Sequence, residues 1–386
     1  MEQQKGSYES KASFPVPTYR FDQKNEMFKR SIWDEKMQPH RKRFYEEIVY
    51  QPKIGYRKLD YAFCNATWNL EWGFGFGNLR SNYGLYSWEG VVERIKRYVE
   101  TGDQVEESPE EMSRVIKRAA RFFGAGAVGI CRVHPNWVYS HEFNLFTREH
   151  YPINIPEDSQ TAIVMAIPMD YEATRCSPSG VSAAATGFGY SMMAFGANLL
   201  ATFIRGLGYR AIPCGNDTAL SIPLAMAAGL GEGSRMGLLI TEQYGPRVRL
   251  CKVFTNLPLQ VDSYRTFGAL EFCKTCKKCA IYCPSRAIPD GEMTTEGHNI
   301  SNQSGVSKWY IDAEKCFSFW AKNRMSCSTC IQVCPFNKAP GMIHDAIRAV
   351  IKRTTLFNVL FTQMDSIFGY GNTVPAKQFW DTLEIE

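Results

Sequence analysis

Eight of the thirteen cysteines lie between residues 273 and 334, in two runs. The first places Cys273, Cys276 and Cys279 with two residues between neighbours, then Cys283 directly before Pro284. The second opens on an isolated Cys316 and continues with Cys327, Cys330 and Cys334, the last before Pro335. Thiolates at two-residue spacing wrap one loop around three irons of a cubane, and the cysteine before proline is thrown too far to close the same site. It therefore ligates the neighbouring cluster. On that logic Cys273, Cys276, Cys279 and Cys334 hold one 4Fe-4S cluster, and Cys316, Cys327, Cys330 and Cys283 hold the other. A structural zinc site would use two separated cysteine pairs, and disulfides would leave the prolines unexplained. Because Cys316 stands well before Cys327, the segment from Phe317 to Ser326, with its large side chains Phe317, Phe319, Trp320 and Met325, is expected to loop out and return.

A second group of residues stands upstream. Thr186 and Tyr190 are one helical turn apart and share a face, while Gly187, Gly189 and Gly196 leave the same helix bare. Each interior glycine costs about 1 kcal/mol against alanine, so something flat or close to the backbone is expected to offset it. Asn216 follows in the turn Cys214-Gly215-Asn216-Asp217, and Arg249 in the run Arg247-Val248-Arg249-Leu250. Polar residues at turns and strand ends point into sites often enough to make these candidates.

The elements that must position these groups alternate. Ser108, Pro109 and Glu111 start a helix with a capping box, and Met112, Val115, Ile116 and Ala119 form its buried stripe. Residues 127–133, 162–169, 210–214, 237–241 and 248–255 read as strands. A long helix over 182–205 stops at Gly206 and Gly208, and a shorter one covers 218–228. Residues 1–88 read as an N-terminal arm, broken by Pro15, Pro17, Pro39 and Pro52, followed by an aromatic segment from Tyr61 to Trp88. Gly73, Gly75 and Gly77 are spaced like a nucleotide loop but lack a preceding strand. Residues 89–262 form the core, 263–340 the cluster domain, and 341–386 a tail, helical over 342–351, that packs back on the core.

At 386 residues the chain buries a large core, so a small ferredoxin is excluded. The net charge of +5 is spread out, with no run of like charges that would grip nucleic acid or an anionic membrane. No run of eighteen apolar residues, signal segment or twin-arginine motif is present, which reads as soluble as written. Cysteines do not decide the compartment, because clusters are assembled in a reducing cytoplasm even in a protein later exported folded.

In combination these features resemble the corrinoid-dependent reductive dehalogenases. The resemblance rests on the two cysteine runs, Thr186-Gly187-Phe188-Gly189-Tyr190, Gly208 to Asn216, and Gly245-Pro246-Arg247-Val248-Arg249 leading to Asn256-Leu257-Pro258-Leu259, and it covers roughly residues 85–340. It implies an α+β fold: a nitroreductase-like corrinoid-binding core with an inserted ferredoxin-like domain. It implies a base-off corrinoid (cobamide) fed by the two clusters, in agreement with the absence of an Asp-x-His-x-x-Gly motif. Tyr190, Arg249 and Asn216 are then catalytic. Tyr190 donates a proton, Arg249 favours its phenolate, and Asn216 orients substrate. Thr186, Gly187, Gly189 and Tyr190 line the cofactor, while Trp68, Phe76, Trp320, Met325 and Trp380 are expected to enclose a small organohalide by shape and dispersion. The family further implies a membrane-anchor subunit, a membrane electron donor, a place at the outer face of the cytoplasmic membrane, and possible homodimers. Two other readings compete. An epoxyqueuosine-reductase-like enzyme acting on transfer RNA would need a basic grip and an acidic residue where Tyr190 stands; a bare iron-sulfur electron carrier would leave the upstream residues unexplained.

Overall fold

The computed structural model describes residues 16–75, 84–90, 104–339 and 341–381. Within them lie strands β1 (Ala127–Arg132), β2 (His141–Phe143), β3 (His150–Pro152), β4 (Thr161–Pro168), β5 (Ala211–Cys214), β6 (Glu232–Gly233), β7 (Leu239–Ile240) and β8 (Val248–Thr255). Four of them form the central sheet in the order β1-β4-β8-β5, every pair antiparallel. The fold is therefore α+β. Pro213 sits in β5, an edge strand, where its missing N–H costs no ladder bond.

Both faces of the sheet are covered, and period-two alternation divides the side chains. Ile163, Met165 and Ile167 of β4, with Cys251 and Val253 of β8, face a core shared with helices Pro109–Phe122 and Gly180–Gly206. Ala162, Val164 and Ala166, with Val248, Leu250 and Phe254, face the opposite core around Leu224 and Ala225 of helix Ser221–Ala227. Arg249 thus falls on the side of the long helix, and Lys252 on the other. Helix Gly180–Gly206 is long and apolar enough to cross a membrane, but most of it is buried as the core helix of this domain.

Sequence periodicity located β1, β4, β5, β8 and the long helix to within two residues. The Ser108 cap forms as expected, its hydroxyl accepting from Glu111 N. One expectation is corrected. Residues 317–323 do not loop out but continue helix Ala313–Asn323, capped by Asp312 and ended by Arg324 at φ 61°. Phe317 drives this, burying itself against Met27 and Met37 and edge-on to Phe28 and Phe44. The N-terminal arm is accordingly docked, with Arg30 pairing to Glu314 at 2.7 Å. The tail also returns to the core, helix Ala376–Asp381 packing beside Met169, Val181 and Ala185.

Candidate active site

Tyr190 stands on the long helix with its ring stacked on Trp68, centroids 4.9 Å apart. Asn216 Nδ2 donates to its hydroxyl at 3.1 Å, and Ser221 Oγ holds Asn216 Oδ1 at 3.0 Å. The Arg249 guanidinium lies over the Tyr190 ring, 5.2 Å from its centroid, and donates through Nη2 to Thr186 Oγ1 at 3.1 Å. Thr186 Oγ1 in turn lies 3.4 Å from Ser328 Oγ, in the turn that carries Cys327. A chain of polar contacts therefore runs from Asn216 through Tyr190, Arg249 and Thr186 to the cluster domain.

Burial raises the Tyr190 pKa above the usual phenol range. Arg249 and the Asn216 hydrogen bond pull it down, while Glu71 and Glu26 push it up. The sequence expectation that Arg249 would favour the phenolate holds in sign and is outweighed in sum. Tyr190 is kept as a protonated phenol, the form a proton donor needs.

Protein side chains approach the bare helix closely at two of its glycines. A Cβ at Gly187 would stand 2.4 Å from Trp68 Cδ1, and one at Gly189 would stand 2.8 Å from Arg249 Cγ. These two glycines admit the side chains that flank Tyr190. Met325 packs in the same cluster as Trp68, with Tyr61 and Ala184. Trp320 packs against Phe28 and Phe44, and Trp380 sits against Phe63 with its Nε1 donating to Asp60 Oδ1. Phe76 lies outside the described residues.

Two residues escaped sequence reading. Glu71 is buried, takes a hydrogen bond from Tyr86 at 3.0 Å, and is pushed up to about 8 by desolvation. Its signal was a lone carboxylate amid an aromatic run. Lys252 is fully buried and donates to the carbonyls of Gly215 and Ala219 and to Ser221 Oγ, clamping the turn that presents Asn216. A lysine between Cys251 and Val253 in strand β8 was its signal.

The cysteines form no disulfide. Cys334 feels the charge of Cys273, Cys276 and Cys279, whereas Cys316 feels Cys327 and Cys283. Cys330 feels Cys327, Cys316 and Cys283, and also Cys279 across the gap between the groups. Desolvation pushes Cys273 and Cys316 each up to about 12. Thiols so buried ionise only beside a cation, which is what iron supplies, so this donor set fits two cubanes. The Cys273 group is covered by the tail, where Asp365 pairs with both Lys278 and Lys338. Nearer the Tyr190 group, Arg249 Nε and Ser326 Oγ are buried without partners. Such atoms fit the amide-bearing rim of a planar corrinoid, which offers both donors and acceptors.

Residues 272–337 match the family described as a 4Fe-4S double cluster binding domain. The chain is 37% identical over 363 residues to the tetrachloroethene reductive dehalogenase of Sulfurospirillum multivorans, covering 85% of this chain and 71% of that protein. It is 38% identical over 354 residues to that of Desulfitobacterium hafniense, covering 78% and 64%. Among solved structures, a catabolic reductive dehalogenase in complex with 3-bromo-4-hydroxybenzoic acid superposes with a TM-score of 0.73 at 24% identity, covering 97% of this chain and 50% of that one. The last likeness speaks for the fold. The chain spans half of that solved protein and less than two thirds of the second relative.

Proposed function

Because the chain belongs to the reductive dehalogenase family, we propose that it replaces a carbon-halogen bond of a small organohalide by carbon-hydrogen, taking up two electrons and one proton and releasing halide. The observation that carries this reading is the polar chain from Asn216 and Tyr190 through Arg249 and Thr186 to Ser328, beside a cluster cysteine. It ties a proton donor to the end of an electron path. When bound, a base-off corrinoid supplies the low-potential cobalt chemistry that cleaves the carbon-halogen bond.

Thr186, Tyr190, Arg249 and Ser326 would hold the corrinoid. Tyr190 donates the proton from its Oη, and Arg249 lies close enough to stabilise the phenolate left behind. Asn216, gripped by Ser221, orients the phenol and the substrate near it. Trp68 and Met325 form one wall of the pocket and exclude water. Cys273, Cys276, Cys279 and Cys334 would hold one 4Fe-4S cluster beneath the tail and Cys283, Cys316, Cys327 and Cys330 the other beside Ser328, and the pair would supply electrons one at a time. The names of the two relatives specify tetrachloroethene, and a chloroethene is accordingly the first substrate we assign here. We place the enzyme peripherally at the outer face of the cytoplasmic membrane, with an anchor subunit and a membrane electron donor.

The test is chloride release from a panel of chloroethenes, chloroalkanes and brominated analogues by anaerobically reduced, cluster- and corrinoid-loaded protein. A fully loaded enzyme that frees no halide from any of them refutes the reading.

A further inference from the structure

Asp22, His141 and His150 come together, each offering one ligand atom, with all three atoms within 4.8 Å of one another. They are distant in sequence and are assembled by the hairpin of β2 and β3. His141 pairs with Pro152 and His150 with Phe143, so the two histidines sit diagonally on one face of the ladder, where long side chains meet. Their rings lie 4.7 Å apart between centroids. His150 Nε2 stands 3.0 and 3.1 Å from the two carboxylate oxygens of Asp22. Ligands about 2.0–2.2 Å from a common ion sit at such separations.

Two further features suit an ion rather than a simple ion pair. His141 Nδ1 lies 3.1 Å from Ser140 Oγ, which leaves Nε2 as the ligand atom and gives the ring the outer hydrogen bond typical of metal-bound histidine. The Asp22 segment is also fixed in advance. Arg20 holds the carbonyls of Val138, Tyr139 and Ile153, and Gln23 bridges Phe143 N and Asp217 O.

We infer that Asp22, His141 and His150 bind a divalent transition metal of the zinc class, which staples the N-terminal segment to the β2-β3 hairpin. Two imidazoles and one carboxylate suit such an ion and disfavour magnesium or calcium. One position stays open to water, in keeping with the exposed His150. Since Gln23 reaches from this segment to the backbone of Asp217, the staple also braces the turn that presents Asn216.

The experiment uses cluster-loaded protein under anaerobic conditions with Zn2+ as the probe and Mg2+ as the control. Expected are one zinc per chain beyond the clusters, an X-ray absorption first shell of nitrogen and oxygen only, and a rise in melting temperature on zinc addition. His150→Gln and Asp22→Asn should each weaken binding at least tenfold and abolish the rise, and Mg2+ should do nothing. His141→Gln serves the same purpose if either variant misfolds. Sulfur in the zinc shell, or unchanged zinc affinity in the folded variants, overturns the proposal.

Discussion

Gly187→Ala is the sharpest test of how the Tyr190 group is built. The added methyl would stand 2.4 Å from Trp68 Cδ1 and 2.5 Å from Nε1, against an ordinary separation of about 3.5–4.0 Å. The indole must therefore retreat by about 1 Å or more, which disturbs its stack on Tyr190. Overpacking costs about 1–3 kcal/mol, and losing the stack about 0.5–1.5 kcal/mol more. Alanine returns about 1 kcal/mol through helix propensity. A net destabilisation of about 0.5–3.5 kcal/mol is expected, with a fall in halide release as Tyr190 loses its support. Denaturant unfolding followed by tryptophan fluorescence measures the first and chloride assay the second. Gly206→Ala is the control: nothing lies within 4 Å of its added methyl, and it should be neutral or stabilising. If Gly187→Ala matches wild type in both assays, the argument that this glycine exists to admit Trp68 is wrong.

Tyr190→Phe keeps the stack but removes the proton, so halide release by loaded enzyme should drop by about 10²–10⁴; near-normal release would remove Tyr190 from the mechanism. Glu71, raised to about 8, binds a proton in the folded state that the unfolded chain has already lost above the usual carboxylate range. Its contribution to stability therefore falls as pH rises toward 8, by at most about 1.4 kcal/mol per unit, and Glu71→Gln should flatten that slope in pH-resolved unfolding. Lys252→Met orphans the Gly215 and Ala219 carbonyls, at a cost of about 1–3 kcal/mol each; a loss under about 1 kcal/mol in chemical denaturation contradicts the clamp. Cys283→Ser should perturb the same cluster signal in electron paramagnetic resonance as Cys330→Ser, whereas a signature matching Cys279→Ser would reverse the pairing.

Much of this protein was legible in its residues because the governing rules are local. Ligand spacing confines which cysteines can share a cubane, a two-residue period marks β4 and β8, and a helical turn sets Thr186 and Tyr190 on one face. Asn216 and Arg249 were legible through family motifs, since a turn and a strand end say little unaided. What the long helix touches was decided only by tertiary packing. That Trp68 covers Gly187, that Phe317 pulls residues 317–323 into a helix, and that Trp380 donates to Asp60 all depend on partners far away in the chain. The same holds for the protonation of Tyr190 and Glu71 and for the meeting of Asp22 with two histidines. Desolvation sums over every neighbouring atom, and no local period encodes which distant segment will supply them.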